Sequence, residues 1–134
     1  MPNWCLNEVE IYCSSPKEKD EVVEFMRGEV STSFMLQGEL KTQVSITPIS
    51  FNAMIPQPDF EDDRQWYAWN LINWGCKWEP DILDYNENED EIHFQMMTPW
   101  SPPDGICDAI RDKFPDVNVN WFYREDGMQI AGWL

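Results

Sequence analysis

The chain has 134 residues, with 25 acidic against nine basic side chains and a formal charge of −16 at pH 7. That length fits one domain, and 43% hydrophobic residues with eight tryptophans exclude the disordered class that the charge alone would suggest. The excess lies well beyond the magnitude of about 2 to 8 that keeps a small domain soluble. It repels DNA, RNA and anionic membranes and favours basic surfaces, whose commonest owners are nucleic-acid-binding proteins.

No run of about 18 apolar residues occurs, and MPNWCLNEVE lacks the basic and apolar regions of a signal peptide. A soluble, cytoplasmic protein is expected. Cys5, Cys13, Cys76 and Cys107 form no CxxC pair and stand near no histidine cluster, so they read as reduced, buried thiols. No metal and no cofactor is expected.

In chain order, Trp4 to Tyr12 reads as a strand with Cys5, Asn7, Val9 and Ile11 on one face and Glu8, Glu10 and Tyr12 on the other. CSSPKEKDEVVEFMRGE then predicts a helix, with Ser15 as N-cap, Pro16 opening it, Glu18 as the capping-box acid and Gly28 as its stop. An insertion of roughly 29–80 follows. It holds a Ser/Thr-rich part, a strand near Val44 to Thr47, the loop FNAMIPQPDFEDD and a tryptophan-rich helix.

That helix, within QWYAWNLINWGCKWEP, has Asp62 and Gln65 as a capping pair and Gly75 as a left-handed stop. Little of its circumference is polar, which predicts a core element buried on most sides. Asn3, Asn7, Asn70 and Asn73 are candidate acceptors for buried indole N–H groups. The alternative is an aromatic ligand pocket for a nucleotide or metabolite, formed by Trp66, Trp69, Asn73, Lys77, Trp78 and Trp100.

Leu83 to Tyr85 and Ile92 to Met96, joined by NENEDE, read as a hairpin. WSPPDGICDAIRDKFP predicts a second helix, with Ser101 as cap, Pro102 first and Pro115 past the end. VNVNWFYR and MQIAGWL follow as strands around an EDG turn. Two strand-helix-strand halves meeting at a hairpin predict a single α+β domain of ferredoxin-like (βαβ-βαβ) architecture. It has an antiparallel sheet with helices on one face, an inserted Trp-rich helix and an extra C-terminal strand.

MPNWCLNEVEI, FNAMIPQP, WYAWNLINWGCKWEP, TPWSPPDGI and YREDG together resemble the YubB-like, ferredoxin-like-domain family of small plasmid and phage proteins. The family usually has Thr where this chain has Cys76, Asp or Asn where it has Glu79, and Ala where it has Pro99. The resemblance implies a ferredoxin-like architecture and a mobile-element origin, with no known activity and no catalytic residue.

Catalytic signals are weak. The single histidine, His93, lies on a predicted strand and reads as a surface residue; no nucleophile elbow or glycine-rich phosphate loop occurs. Asp84, Asn86, Asn88 and Asp90 mimic the start of a calcium loop, but Glu89 occupies its glycine position and Gln95 replaces the closing glutamate. An enzyme is therefore not expected.

The acids carry the functional expectation. Glu79, Asp81, Asp84, Glu87, Glu89, Asp90 and Glu91 fall in thirteen residues without a base, and Asp59, Glu61, Asp62 and Asp63 precede the tryptophan helix. If that helix packs under the hairpin, the two groups share one ridge. The expected partner is a basic nucleic-acid-binding host protein or complex, bound by charge mimicry in the host cytoplasm, with no direct nucleic acid and no membrane. The expected role is inhibition of a host defence system.

Overall fold

The alternation in WCLNEVEIY builds the central strand. In the computed structural model, which describes residues 3–134, β1 (Trp4–Tyr12) buries Cys5, Asn7, Val9 and Ile11 and turns Glu8 and Glu10 to solvent. Met1 and Pro2, the first two residues of the MPNWC motif, lie outside the described residues.

Helix α1 (Pro16–Met26) starts where its cap predicts: Ser15 Oγ accepts from Glu18 N–H at 3.1 Å. The Glu18 carboxylate reaches back to the N–H and hydroxyl of Ser14, not to Ser15. Gly28, expected as the stop of this helix, follows its C-cap Arg27 and is the first residue of β2 (Gly28–Leu36). Glycine is needed there for space, since a Cβ would lie 2.4 Å from that of Ser50.

β2 pairs antiparallel with β3 (Glu39–Thr47) as a separate two-stranded sheet. Only the end of this hairpin was legible, near Val44 to Thr47, because interspersed serines and threonines dilute the apolar alternation of the rest. Helices α2 (Phe51–Met54) and α3 (Gln65–Asn73) complete the insertion. Then come β4 (Asp81–Glu87), β5 (Glu91–Pro99), α4 (Asp104–Lys113), β6 (Asn118–Glu125) and β7 (Ile130–Trp133).

The main sheet has the order β4-β5-β1-β6-β7, antiparallel throughout. β1 and β4 run in the same direction with β5 between them, and β5 and β6 flank β1 in the same way. These are two interleaved β-α-β halves, and the fold is ferredoxin-like, with β7 added at one edge. Val22 and Met26 of α1 and Ile106 and Ile110 of α4 share a core with Val9, Ile11, Ile92, Phe94, Met96, Val119 and Trp121. The opposite face of the sheet carries no helix from the two halves.

Three local expectations fail for physical reasons. Helix α3 is not buried on most sides: Asn70 is its buried residue, whereas Tyr67, Leu71 and Ile72 are exposed. It packs along α4, so burial concentrates at its C-terminal end and on Trp74 just beyond it. The Asp62–Gln65 side-chain cap does not form either. Asp62 spends its carboxylate on Arg64, accepting from its N–H at 2.9 Å, while Gln65 N–H takes the Asp62 carbonyl. Ser101 does not cap α4, which begins at Asp104 after Pro103. Its hydroxyl donates to Gly75 O at 2.7 Å and ties the two motif-rich segments together.

That tie is part of a tight junction. Gly75 ends α3 at φ 93°, its N–H donating to Asn70 O, and Gly105 N–H donates to Trp74 O at 3.1 Å. A Cβ on Gly105 would stand 2.0 Å from Asn73 O. Of the expected indole acceptors, Asn7 serves Trp121, while Trp74 donates to Ile55 O at 3.0 Å. Asn70 and Asn73 instead bind the backbone oxygens of Lys77 and Trp69.

Candidate functional site

The uncovered sheet face collects acids from three strands. Register sets Glu8 of β1 beside Gln95, Glu10 beside His93, and Tyr12 beside Glu91 of β5; β4 adds Asp84 beside Gln95 and Asn86 beside His93. Alternate residues on one strand stand about 6.6 Å apart and neighbouring strands about 4.8 Å. Glu8, Glu10 and Asp84 therefore crowd one patch around a hollow of about 150 Å³ lined in part by His93 and Gln95, and Glu91 extends the patch beside Tyr12.

Polar side chains other than Lys and Arg hold these carboxylates. Tyr12 Oη donates to Glu10 at 2.7 Å, Gln95 Nε2 to Glu8 at 3.2 Å and Asn86 Nδ2 to Asp84 at 3.0 Å. His93 Nε2 stands 3.1 Å from Glu91 Oε2. The hydrogen bond to Glu10 pushes the Tyr12 hydroxyl pKa up. The patch thus has fixed geometry while its negative charge stays available. Arg124 lies on the same face beside Leu6, where Asp126 pairs with it at 3.0 Å. Phe122 and Trp133 meet at a tilt of 58° beyond β1 with centroids 5.2 Å apart, and Trp133 is 71% exposed.

The hairpin tip continues the patch. Glu89 and Asp90 are exposed in the turn, where Asn88 Oδ1 accepts from the N–H groups of Asp90 and Glu91. Glu87 is partly neutralised: Lys19 of α1 reaches it at 3.3 Å and Asp20 at 2.8 Å. Asp81 is exposed at the start of β4. Among the described residues, no group of three metal-ligating side chains converges.

Glu79 faces a different task. Its carboxylate accepts from the N–H groups of Phe51, at 2.5 Å, and Asn52, at 3.1 Å, joining the approach to β4 to the start of α2. Burial raises its pKa, and the two N–H bonds oppose that shift.

The second acidic group is placed elsewhere. Phe60 packs against Trp69, and Asp62 is bound to Arg64, while Asp59, Glu61 and Asp63 are exposed. α3 is held by α4 at the Trp4 end of the sheet, where Trp78 meets Trp4, and the hairpin tip lies at the Tyr12 end. The helix does not underlie the hairpin, so it does not form the ridge that would join the two groups.

The tryptophans of this region do not converge on one pocket. Trp69 meets Trp74 and Phe60, Trp66 meets Tyr67, and Asn73 Nδ2 donates to Trp69 O. Lys77 Nζ sits over the rings of both Tyr67, at 5.2 Å, and Trp78, at 5.0 Å, filling the position that a cationic ligand would take. Trp100 is exposed at φ 68°.

Glu8 and Glu10 are the patch members that a run-based reading of the acids misses. Their exposure follows from alternation in β1, but their company depends on the β1–β5 register.

No helix of the described residues is long and apolar enough to cross a membrane. No curated protein and no solved structure matches the chain. A family model described as a ferredoxin-like domain in Api92-like proteins matches residues 74–133, so that from Trp74 to Trp133 the chain is similar to that domain.

Proposed function

We propose that this protein is a non-enzymatic inhibitor that occupies a basic, nucleic-acid-binding surface by charge mimicry. The observation that carries this reading is the patch of Glu8, Glu10, Asp84 and Glu91, held by Tyr12, Gln95, Asn86 and His93, with no Lys or Arg ion pair to any of the four among the described residues. Acids so held are pre-organised, which lowers the ordering cost of binding, and their charge remains to steer a basic partner. Glu8 and Glu10, alternate residues on β1, stand about 6.6 Å apart, one charge per about twice the roughly 3.4 Å axial rise per phosphate of one DNA strand. Exposed Glu89 and Asp90 extend the row at the tip, and Trp133 offers a ring for a partner's guanidinium.

The resemblance to the YubB-like family of plasmid and phage proteins extends the reading to origin and target. A mobile-element protein of this charge fits an inhibitor of host defence, of the anti-CRISPR or anti-restriction kind, acting in the host cytoplasm. The test is a quadruple variant, Glu8→Gln, Glu10→Gln, Glu89→Gln and Asp90→Asn, compared with the wild type for capture of host nucleic-acid-binding proteins. Loss of capture supports the assignment; equal capture at equal salt overturns it.

A further inference from the structure

The hairpin of β2 and β3 carries little of the protein's charge. Between Gly28 and Thr47 it carries Glu29, Glu39 and Lys41, a net of one negative charge out of sixteen. It is exposed from Glu29 to Ile46, with Phe34, Met35, Leu36, Leu40, Val44 and Ile46 all standing in solvent. It meets the rest of the protein at its base, where Gly28 packs against Ser50.

A two-stranded hairpin with both faces in water is marginally stable, and a third strand stabilises it. The outer edge of β2 presents unpaired N–H and C=O groups. From Val30 to Leu36 that edge reads VSTSFML, in unbroken register with β3 and without a charge or proline to blunt it. On β3, Glu39 and Lys41 blunt the outer edge beside the turn.

We infer that the protein forms a two-fold dimer in which β2 pairs antiparallel with β2 of a second copy, centred on Ser33. In that register Val30 lies opposite Leu36 of the other copy, Thr32 opposite Phe34, and Glu29 opposite Gln37, so no like charges meet. The result is a four-stranded sheet with a self-complementary, two-fold interface.

Charge selects a second copy as the occupant. Over most of the surface two copies would meet acid against acid, whereas the arms are nearly neutral. Pairing about Ser33 also sets the two Gly28 positions ten residue steps apart, about 33 Å. That is several times the Debye length of about 8 Å at physiological salt, so repulsion between the acidic bodies is screened. A basic partner gains nothing from a neutral arm.

Sedimentation equilibrium of the full chain, from about 50 mM to about 500 mM salt, tests the dimer. The dimer is expected to strengthen several-fold as salt screens the bodies, whereas binding of a basic target weakens, so failure of one leaves the other standing. Ser33→Lys and Ser33→Glu should each weaken self-association about tenfold or more, an equimolar mixture of the two should restore it, and Gln43→Lys on β3 should leave it unchanged. A wild-type monomer at every salt and concentration overturns the inference. So do undiminished dimers of Ser33→Lys, a mixture that stays monomeric, or growth beyond two copies.

Discussion

The indole N–H of Trp121 donates to Asn7 Oδ1 at 3.0 Å, with both side chains fully buried in the centre of the fold. Asn7 Nδ2 in turn donates to Thr98 Oγ1 at 2.9 Å, and Thr98 donates to Ser101 O at 2.7 Å. This chain joins β6, β1 and β5 to the loop before α4. Asn7→Ala leaves the indole unpaired and opens a void, at a cost of about 2 to 4 kcal/mol. Urea unfolding measures the loss, and a double-mutant cycle with Trp121→Phe should show clear non-additivity.

Gly105 packs its backbone against Asn73 and Trp74 with no room for a methyl group. Gly105→Ala must push α4 away from the end of α3 and should cost more than about 2 kcal/mol, as overpacking against rigid backbone does. Gly38→Ala is the control. Gly38 has a left-handed φ of 81° but open space around it, so the cost there is about 1 kcal/mol of backbone conformation.

The four cysteines are free thiols, and Cys5, Cys76 and Cys107 are buried. Burial is the main cause that pushes Cys5 and Cys107 up to about 11 and Cys76 to about 12, from an ordinary value of 9.0. Between pH 9 and about 11 the folded chain therefore keeps protons that the unfolded chain releases. Stability is full below pH 9 and falls as pH rises through that window. Unfolding titrations across it should show the decline, and a thiol reagent at pH 8 should reach the half-buried Cys13 well before the other three. Equal labelling rates would contradict the burial.

Lys77 bridges the rings of Tyr67 and Trp78. Lys77→Met removes the cation and keeps much of the stem, so stability should fall by about 0.5 to 1 kcal/mol. Tryptophan emission should shift as Trp78 loses its charged neighbour. An unchanged spectrum and unfolding midpoint would show that the ammonium makes no net contribution.

Legibility followed periodicity. β1, β5 and β6 alternate cleanly, and Ser15 with Pro16 announces α1, so the ferredoxin-like order could be read directly. β2 and β3 hid behind serine and threonine, whose side chains give little apolar period. The composition of α3 misled, because an apolar helix is buried only where a neighbour covers it, and α4 covers one side near the C-terminal end. The acids of the β4–β5 hairpin were visible as a run. Their union with Glu8 and Glu10 was not, since it depends on strand register across more than eighty residues of sequence.

The central claim is that the open sheet face competes with nucleic acid for a basic surface. The direct measurement captures host proteins on the immobilised chain, then challenges the complex with duplex DNA and with rising salt. The account predicts that DNA releases the captured protein, that salt weakens the complex steeply, and that the Glu8, Glu10, Glu89 and Asp90 variant captures little. A complex that ignores both DNA and the four substitutions would contradict it.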